Sequence, residues 1–107
     1  MKFISDSINK KVKDYWEVIP CGTNSNLLDE VKKYSKEWFE EIEKNRYQEE
    51  PFIHQIAQFS RYRDKLVLEI GVGAGTDHLQ WARVAKDLYG LDLTDEGINI
   101  TKKRLET

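Results

Sequence analysis

The sequence predicts an α/β chain: a helical N-terminal part, residues 1–63, followed by the opening strand–helix–strand–helix of a parallel sheet, residues 64–107. Three observations carry this. Leu66–Ile70 is a short, almost continuous apolar run, interrupted by Glu69, as expected of a strand buried on both faces of a parallel sheet. Gly71, Gly73 and Gly75 follow it as a turn. A second apolar run, residues 88–93, then carries Asp92 near its carboxyl end. Strand–helix–strand order makes the two strands parallel neighbours joined by a right-handed crossover.

Residues 1–24 carry mixed signals, with Tyr15 and Trp16 ahead of Ile19 and Pro20. Residues 21–26 are rich in turn formers. Ser25 or Asn26 is placed to cap a helix. From there Leu27, Leu28, Val31, Tyr34, Trp38, Phe39 and Ile42 recur at helical steps, giving one apolar face to about Asn45. Lys32, Lys33, Lys36 and Lys44 alternate with glutamates on a solvated face. Beyond Pro51, the residues Phe52, Ile53, Ile56, Ala57 and Phe59 indicate a second, shorter helix. Residues 76–85 read as the helix after the glycine turn. Thr94 is a good N-cap for a last helix with Ile98 and Leu105 inward.

A chain of 107 residues fits one domain at most. Its net charge of −2 gives no global basic field for nucleic acid. No apolar run approaches the roughly 18 residues of a membrane span, and the N-terminus lacks the apolar core of a secretory signal. The lone Cys21 can form no internal disulfide, and a cytoplasmic location fits. His54 and His78, far apart and without cysteine partners, make a poor metal site. His78 reads as a surface residue of its helix, with the edge of a pocket as the alternative. Asp77 suits the start of that helix on electrostatic grounds, with a ligand contact as its alternative.

Three absent β-carbons let a ligand approach the backbone between strand and helix. N–H groups at a helix start offer it donors. A carboxylate at the end of the neighbouring strand can accept both hydrogen bonds of a ribose diol, which places Asp92 across the crevice. The combination predicts a pocket for a nucleoside-bearing cofactor. A dinucleotide fingerprint requires G-x-G-x-x-G, but counting from Gly71 the sixth position is Thr76.

The pattern E-x-G-x-G-x-G, from Glu69 to Gly75, resembles motif I of the class I S-adenosylmethionine-dependent methyltransferases. Residues 90–94 resemble the family's second motif, and Ile98, Thr101, Lys102 and Leu105 the helix after it. Trp16, Pro20-Cys21-Gly22, Arg46-Tyr47, Glu50-Pro51 and Ile53 are similar to an N-terminal extension whose helices cover the cofactor and substrate side. The resemblance implies a Rossmann-like sheet, S-adenosylmethionine as cofactor, and methyl transfer. It places Gly71, Gly73 and Gly75 along the methionine and ribose, Asp92 on the ribose hydroxyls and Leu93 near the adenine. Glu69 would orient the loop or reach the cofactor's amino group; satisfaction by backbone N–H groups in the turn is the alternative for this acid. Tyr15, Trp16 and Tyr47 are candidates to line an acceptor site, whereas Tyr34, Trp38 and Phe39 read as core. A small-molecule acceptor is preferred, and no catalytic base is assigned.

The family's sheet has seven strands, of which this sequence supplies the first two. The chain is therefore expected to be the N-terminal part of a longer enzyme, inactive alone, marginally stable or prone to self-association through an exposed strand edge. Two other readings stand beside this one: a fragment of a NAD- or FAD-dependent oxidoreductase, and a non-catalytic interaction module.

Overall fold

The computed structural model describes residues 6–18, 20–23 and 28–107. Among them the order is α1 (Asp6–Val18), α2 (Lys36–Glu49), α3 (Phe52–Ala57), a 3₁₀ turn (Phe59–Tyr62), β1 (Leu66–Ile70), α4 (Thr76–Ala82), β2 (Asp87–Leu91) and α5 (Asp95–Glu106). The strands are parallel, in register from Leu66 opposite Asp87 to Ile70 opposite Leu91.

The first long helix is shorter than its apolar periodicity. Ser25 and Asn26, the expected caps, lie outside the described residues, and residues 28–35 form turns rather than helix. Tyr34 has a φ of 68°, a left-handed conformation that a continuous helix excludes. Its phenol donates to Glu96 Oε1 at 2.8 Å, and Lys103 Nζ lies 3.8 Å from its ring centroid. Ser35 then starts α2, its Oγ accepting from the Trp38 N–H at 3.2 Å. The apolar face survives this break. Leu28, Trp38, Phe39 and Ile42 are buried with Ala74 and Ile100, and Val31 and Tyr34 pack against them. The core thus lies between α2, α5 and the glycine loop.

α1 occupies a segment whose sequence signals were mixed, and α5 fixes it in place. The Glu17 carboxylate accepts from the Asp95 and Glu96 N–H groups at 3.2 and 2.7 Å. Thr94 caps the same helix as expected, its Oγ accepting from the Gly97 N–H at 3.0 Å. The inward face of α5 differs from expectation: Gly97, Ile100, Thr101 and Arg104 are buried, Ile98 is half-buried and Leu105 is exposed. Polar contacts set this rotation. Thr101 packs on Gly75 and donates to the Gly73 carbonyl, and Arg104 reaches Thr76 Oγ1, the Phe39 carbonyl and Glu43.

α4 ends at Ala82 rather than near Ala85. Residues 83–86 turn back, Asp64 N donating to the Val84 carbonyl and Lys86 N to that of Lys65, which delivers β2 alongside β1. A run of ring contacts joins α2 to α4: Tyr47–His54 at 4.3 Å, His54–Phe59 at 5.6 Å and Phe59–Trp81 at 4.5 Å.

The expectation of strands buried on both faces is corrected. Val67, Glu69, Leu88 and Gly90 face the helices, while Leu66, Leu68, Ile70, Tyr89 and Leu91 are exposed on the other side, Ile70 to 78%. Among the described residues, the helices that cover the sheet lie on one face. No helix among the described residues is long and apolar enough to cross a membrane.

Candidate functional site

Gly71, Gly73 and Gly75 carry φ values of +80°, +55° and +77°, which side chains other than glycine rarely adopt. Gly75 is also sterically required, since a methyl there would lie 2.9 Å from Thr101 Oγ1. At Gly71 and Gly73 a β-carbon would meet nothing within 4 Å. Their open sides face two depressions.

One is a polar pocket of about 430 Å³ on the α2 side of the loop. Glu49, Glu50, Glu69 and Asp77 bring four carboxylates to it, against one cation, Arg46, among the described lining residues. Arg46 is held by Asp77 through Nε at 3.0 Å and a second nitrogen at 2.7 Å, and by Glu50 at 3.1 Å. The Tyr47 phenol donates to the same Asp77 at 2.9 Å. Asp77 thus collects three hydrogen bonds from α2. The Arg46 guanidinium is held above its usual pKa chiefly by the bond to Asp77, and burial followed by the Asp77 charge pushes the Tyr47 phenol up. The other depression, about 300 Å³, is lined by Val12, Trp16, Pro20, Asp92, Leu93 and Thr94. Both share Cys21, Gly71 and Gly73, so the loop forms a rim between a charged chamber and an apolar one.

Asp92 sits just beyond β2, rather than within the strand, and is already engaged. Its Oδ2 accepts from the Gly73 N–H at 2.9 Å, and its Oδ1 accepts from the Thr94 N–H and hydroxyl at 2.9 and 2.7 Å. Burial pushes this carboxyl up, but the bonds from Gly73 and Thr94 outweigh it and hold Asp92 below the usual carboxylate value. A carboxylate offers about four acceptor positions, so capacity for a further donor remains.

Most backbone N–H groups of the glycine loop are engaged, whereas the sequence expectation concerned those at the start of α4. Gly71 N and Val72 N donate to the Leu91 carbonyl, Gly73 N to Asp92 and Gly75 N to the Val72 carbonyl. The first three join the loop to the end of β2, and the last closes a turn within the loop.

Glu69 and His78 also depart from expectation. Glu69 has no backbone partner at Oε1, which is buried and lies 3.3 Å from His78 Nδ1 without the alignment of a hydrogen bond. Burial, reinforced by the charge of Asp77, pushes the Glu69 carboxyl up to about 7, against the opposing effect of Arg46. His78 is not a surface residue: its side chain is 7% exposed, and burial lowers its pKa. Glycine at position 90 makes room for its ring, since a methyl there would lie 2.9 Å from His78 Cε1 and 2.8 Å from Val72 Cγ1.

The structure therefore gathers Glu69, Gly71, Gly73, Asp92 and Leu93 around the two depressions, while Gly75 lies behind the loop against α5. Sequence reasoning assigned no pocket role to Asn45 or Val12 and underrated His78. Their positions depend on how α1, α2 and α4 meet, and no local spacing encodes that. No protein-family model matches this chain, and no curated protein or solved structure is detectably similar to it.

Proposed function

We propose that this chain forms the cofactor-binding region of an S-adenosylmethionine-dependent methyltransferase with a Rossmann-like fold, acting on a small-molecule acceptor in the cytoplasm. The observation that carries the reading is the pair of chambers meeting at Gly71 and Gly73, one rich in carboxylates and the other apolar with Asp92 at its wall. A ligand laid across that rim needs a cationic end and a nucleoside end. S-adenosylmethionine has both, with an ammonium and a sulfonium at one end and adenosine at the other.

The donor set supports the same choice. A pyrophosphate draws on backbone N–H groups of the glycine loop and of the helix start, and within the loop Gly71, Val72, Gly73 and Gly75 have spent theirs. A ligand without phosphates loses nothing by this. Four carboxylates around the polar chamber disfavour an anionic pyrophosphate further. Both arguments count against the nicotinamide and flavin alternative.

When bound, the cofactor supplies an electrophilic methyl group for displacement by a nucleophile. The residues of this chain bind and orient. Asp92 would receive the ribose hydroxyls on the acceptor capacity left after Gly73 and Thr94. Leu93 and Trp16 would hold the adenine, and Glu69 the ammonium. Arg46, steadied by Asp77 and Glu50, is the group suited to the α-carboxylate. Holding the methyl donor in one pose is itself a large part of what such a reaction needs.

Calorimetric titration of the chain with S-adenosylhomocysteine tests the reading, with NAD and the Asp92→Ala variant as controls. Saturable binding of S-adenosylhomocysteine, weakened at least about tenfold by Asp92→Ala and absent for NAD, is expected. Binding of NAD in preference to S-adenosylhomocysteine, or binding of neither by the folded chain, would sink the proposal.

A further inference from the structure

Among the described residues, Glu69 and His78 form the one largely buried pair of titratable side chains at this site whose facing atoms lack hydrogen-bond partners. Glu69 stands on the helix-facing side of β1, and His78 on α4. Their side chains are 15% and 7% exposed, with Oε1 and Nδ1 3.3 Å apart. The imidazole cannot back away, because its far edge is seated over Gly90 with Val72 beside it. Two groups that each accept a proton, held this close and this dry, compete for one proton unless both stay uncharged.

We propose that His78 is a positioning residue for Glu69: the two side chains share a single proton across their 3.3 Å approach, and the pair sets the charge that Glu69 presents to the polar pocket. This inference rests on the reading of that pocket as the place of the cofactor's ammonium. With the proton retained, the pair is neutral and Glu69 offers the ammonium a weak partner. With the proton lost to solvent, Glu69 is a carboxylate, His78 Nδ1–H can donate to its Oε1, and the pocket gains a full negative charge. Affinity for a ligand with an ammonium therefore rises as the pair deprotonates, while affinity for the same nucleoside without an ammonium stays level.

The other charged groups around the pair define its setting. Asp77 on α4 and Asp92 beyond β2 favour retention of the proton, and Arg46 on α2 favours its loss. Burial favours retention at Glu69 and the neutral form at His78, so both sites resist charge until the pH passes neutrality.

Two measurements on the full chain test this. The first needs no ligand: the Glu69 side-chain carboxyl carbon and the His78 ring carbons are followed by NMR from pH 4 to 9. A common inflection near neutrality on both residues is expected. Independent titrations, with Glu69 in the ordinary carboxylate range, would overturn the proposal.

The second compares S-adenosylhomocysteine with methylthioadenosine, which lacks the amino-acid end. The former is expected to bind about tenfold more tightly at pH 8 than at pH 6, following the ionised fraction of one group, and the latter equally at both. His78→Leu should move the midpoint upward, and His78→Asn, which keeps an N–H near the Nδ1 position, should return it toward the native value. A folded His78→Leu protein with the native profile would overturn the proposal, and if that variant does not fold, the ligand-free titration of the native chain decides. Failure of either nucleoside to bind at any pH would instead strike the cofactor reading, which the ligand-free titration does not depend on.

Discussion

Glu69 shows how a site residue can oppose the stability of the fold that holds it. Its folded-state carboxyl keeps its proton to about pH 7, whereas an unfolded glutamate releases it near 4.3. Between these values the folded chain binds more protons than the unfolded chain, so stability falls as the pH rises through this window. The cost is complete above neutrality and absent below about pH 4, and a shift of this size corresponds to about 4 kcal/mol at most. Glu69→Gln removes the titration and keeps the shape. Urea unfolding of the ligand-free protein should therefore find the variant more stable by about 1–3 kcal/mol at pH 8 and nearly unchanged at pH 4.5. An equal difference at both pH values would mean that Glu69 is not desolvated as its position indicates. Asp92, by contrast, is engaged in three hydrogen bonds that favour its charged form. Two carboxylates beside the same glycine loop, one on β1 and one just beyond β2, are thus driven in opposite directions, one by a lack of donors and the other by a supply of them.

Among the elements, α1 depends most on a single interaction. It touches the rest of the fold chiefly through α5, where the Glu17 carboxylate covers the Asp95 and Glu96 N–H groups. Those N–H groups are orphans of the helix start, and a negative charge there also meets the positive end of the helix dipole. Glu17→Ala should cost about 0.5–2 kcal/mol. Its clearest signature is in hydrogen exchange: the amides of α1 lose protection, and those of β1 and β2 keep theirs. Undiminished protection of α1 would show that other contacts hold it. Legibility in the sequence divides along the same line. β1, the glycine turn and the Thr94 cap were readable because each is set by residues within a few positions of one another, and the β1–β2 pairing because strand–helix–strand order makes neighbouring parallel strands. The N-terminal helix was not readable, because Trp16, Tyr15 and Val18 point to no regular core and the helix is stabilised by a carboxylate that caps another element. Nor was the break at Tyr34, where the apolar period runs on through a residue with positive φ. Asp92 was found by its place near the end of the second apolar run, but its bonds to Gly73 and Thr94 were not, since the loop folds onto it. His78 was misjudged because a helical period alone cannot reveal that Gly90 leaves space for an imidazole.

On the scale of the whole molecule, the sheet is unbalanced. Parallel strands normally have both faces covered, yet here Leu66, Leu68, Ile70, Tyr89 and Leu91 are exposed together on one side. The strand registers bring Leu68 opposite Tyr89 and Ile70 opposite Leu91, so these side chains form one contiguous surface rather than scattered apolar points. A continuous apolar patch on a protein of this size favours association, and β1 adds an edge whose outer backbone groups have no strand partner among the described residues. In isolation the chain is therefore expected to associate as its concentration rises into the micromolar range. Sedimentation velocity over a concentration series reads this directly, and the variant Leu68→Lys with Leu91→Lys provides the control. Both side chains are more than half exposed, so the substitutions leave the core and the glycine loop intact, and the circular dichroism spectrum should be unchanged. The double variant should sediment as a monomer at concentrations where the native chain does not. If the native chain sediments as a monomer throughout, the open face is tolerated in water, and the covering that a parallel sheet usually requires is here supplied by the helices on one side alone.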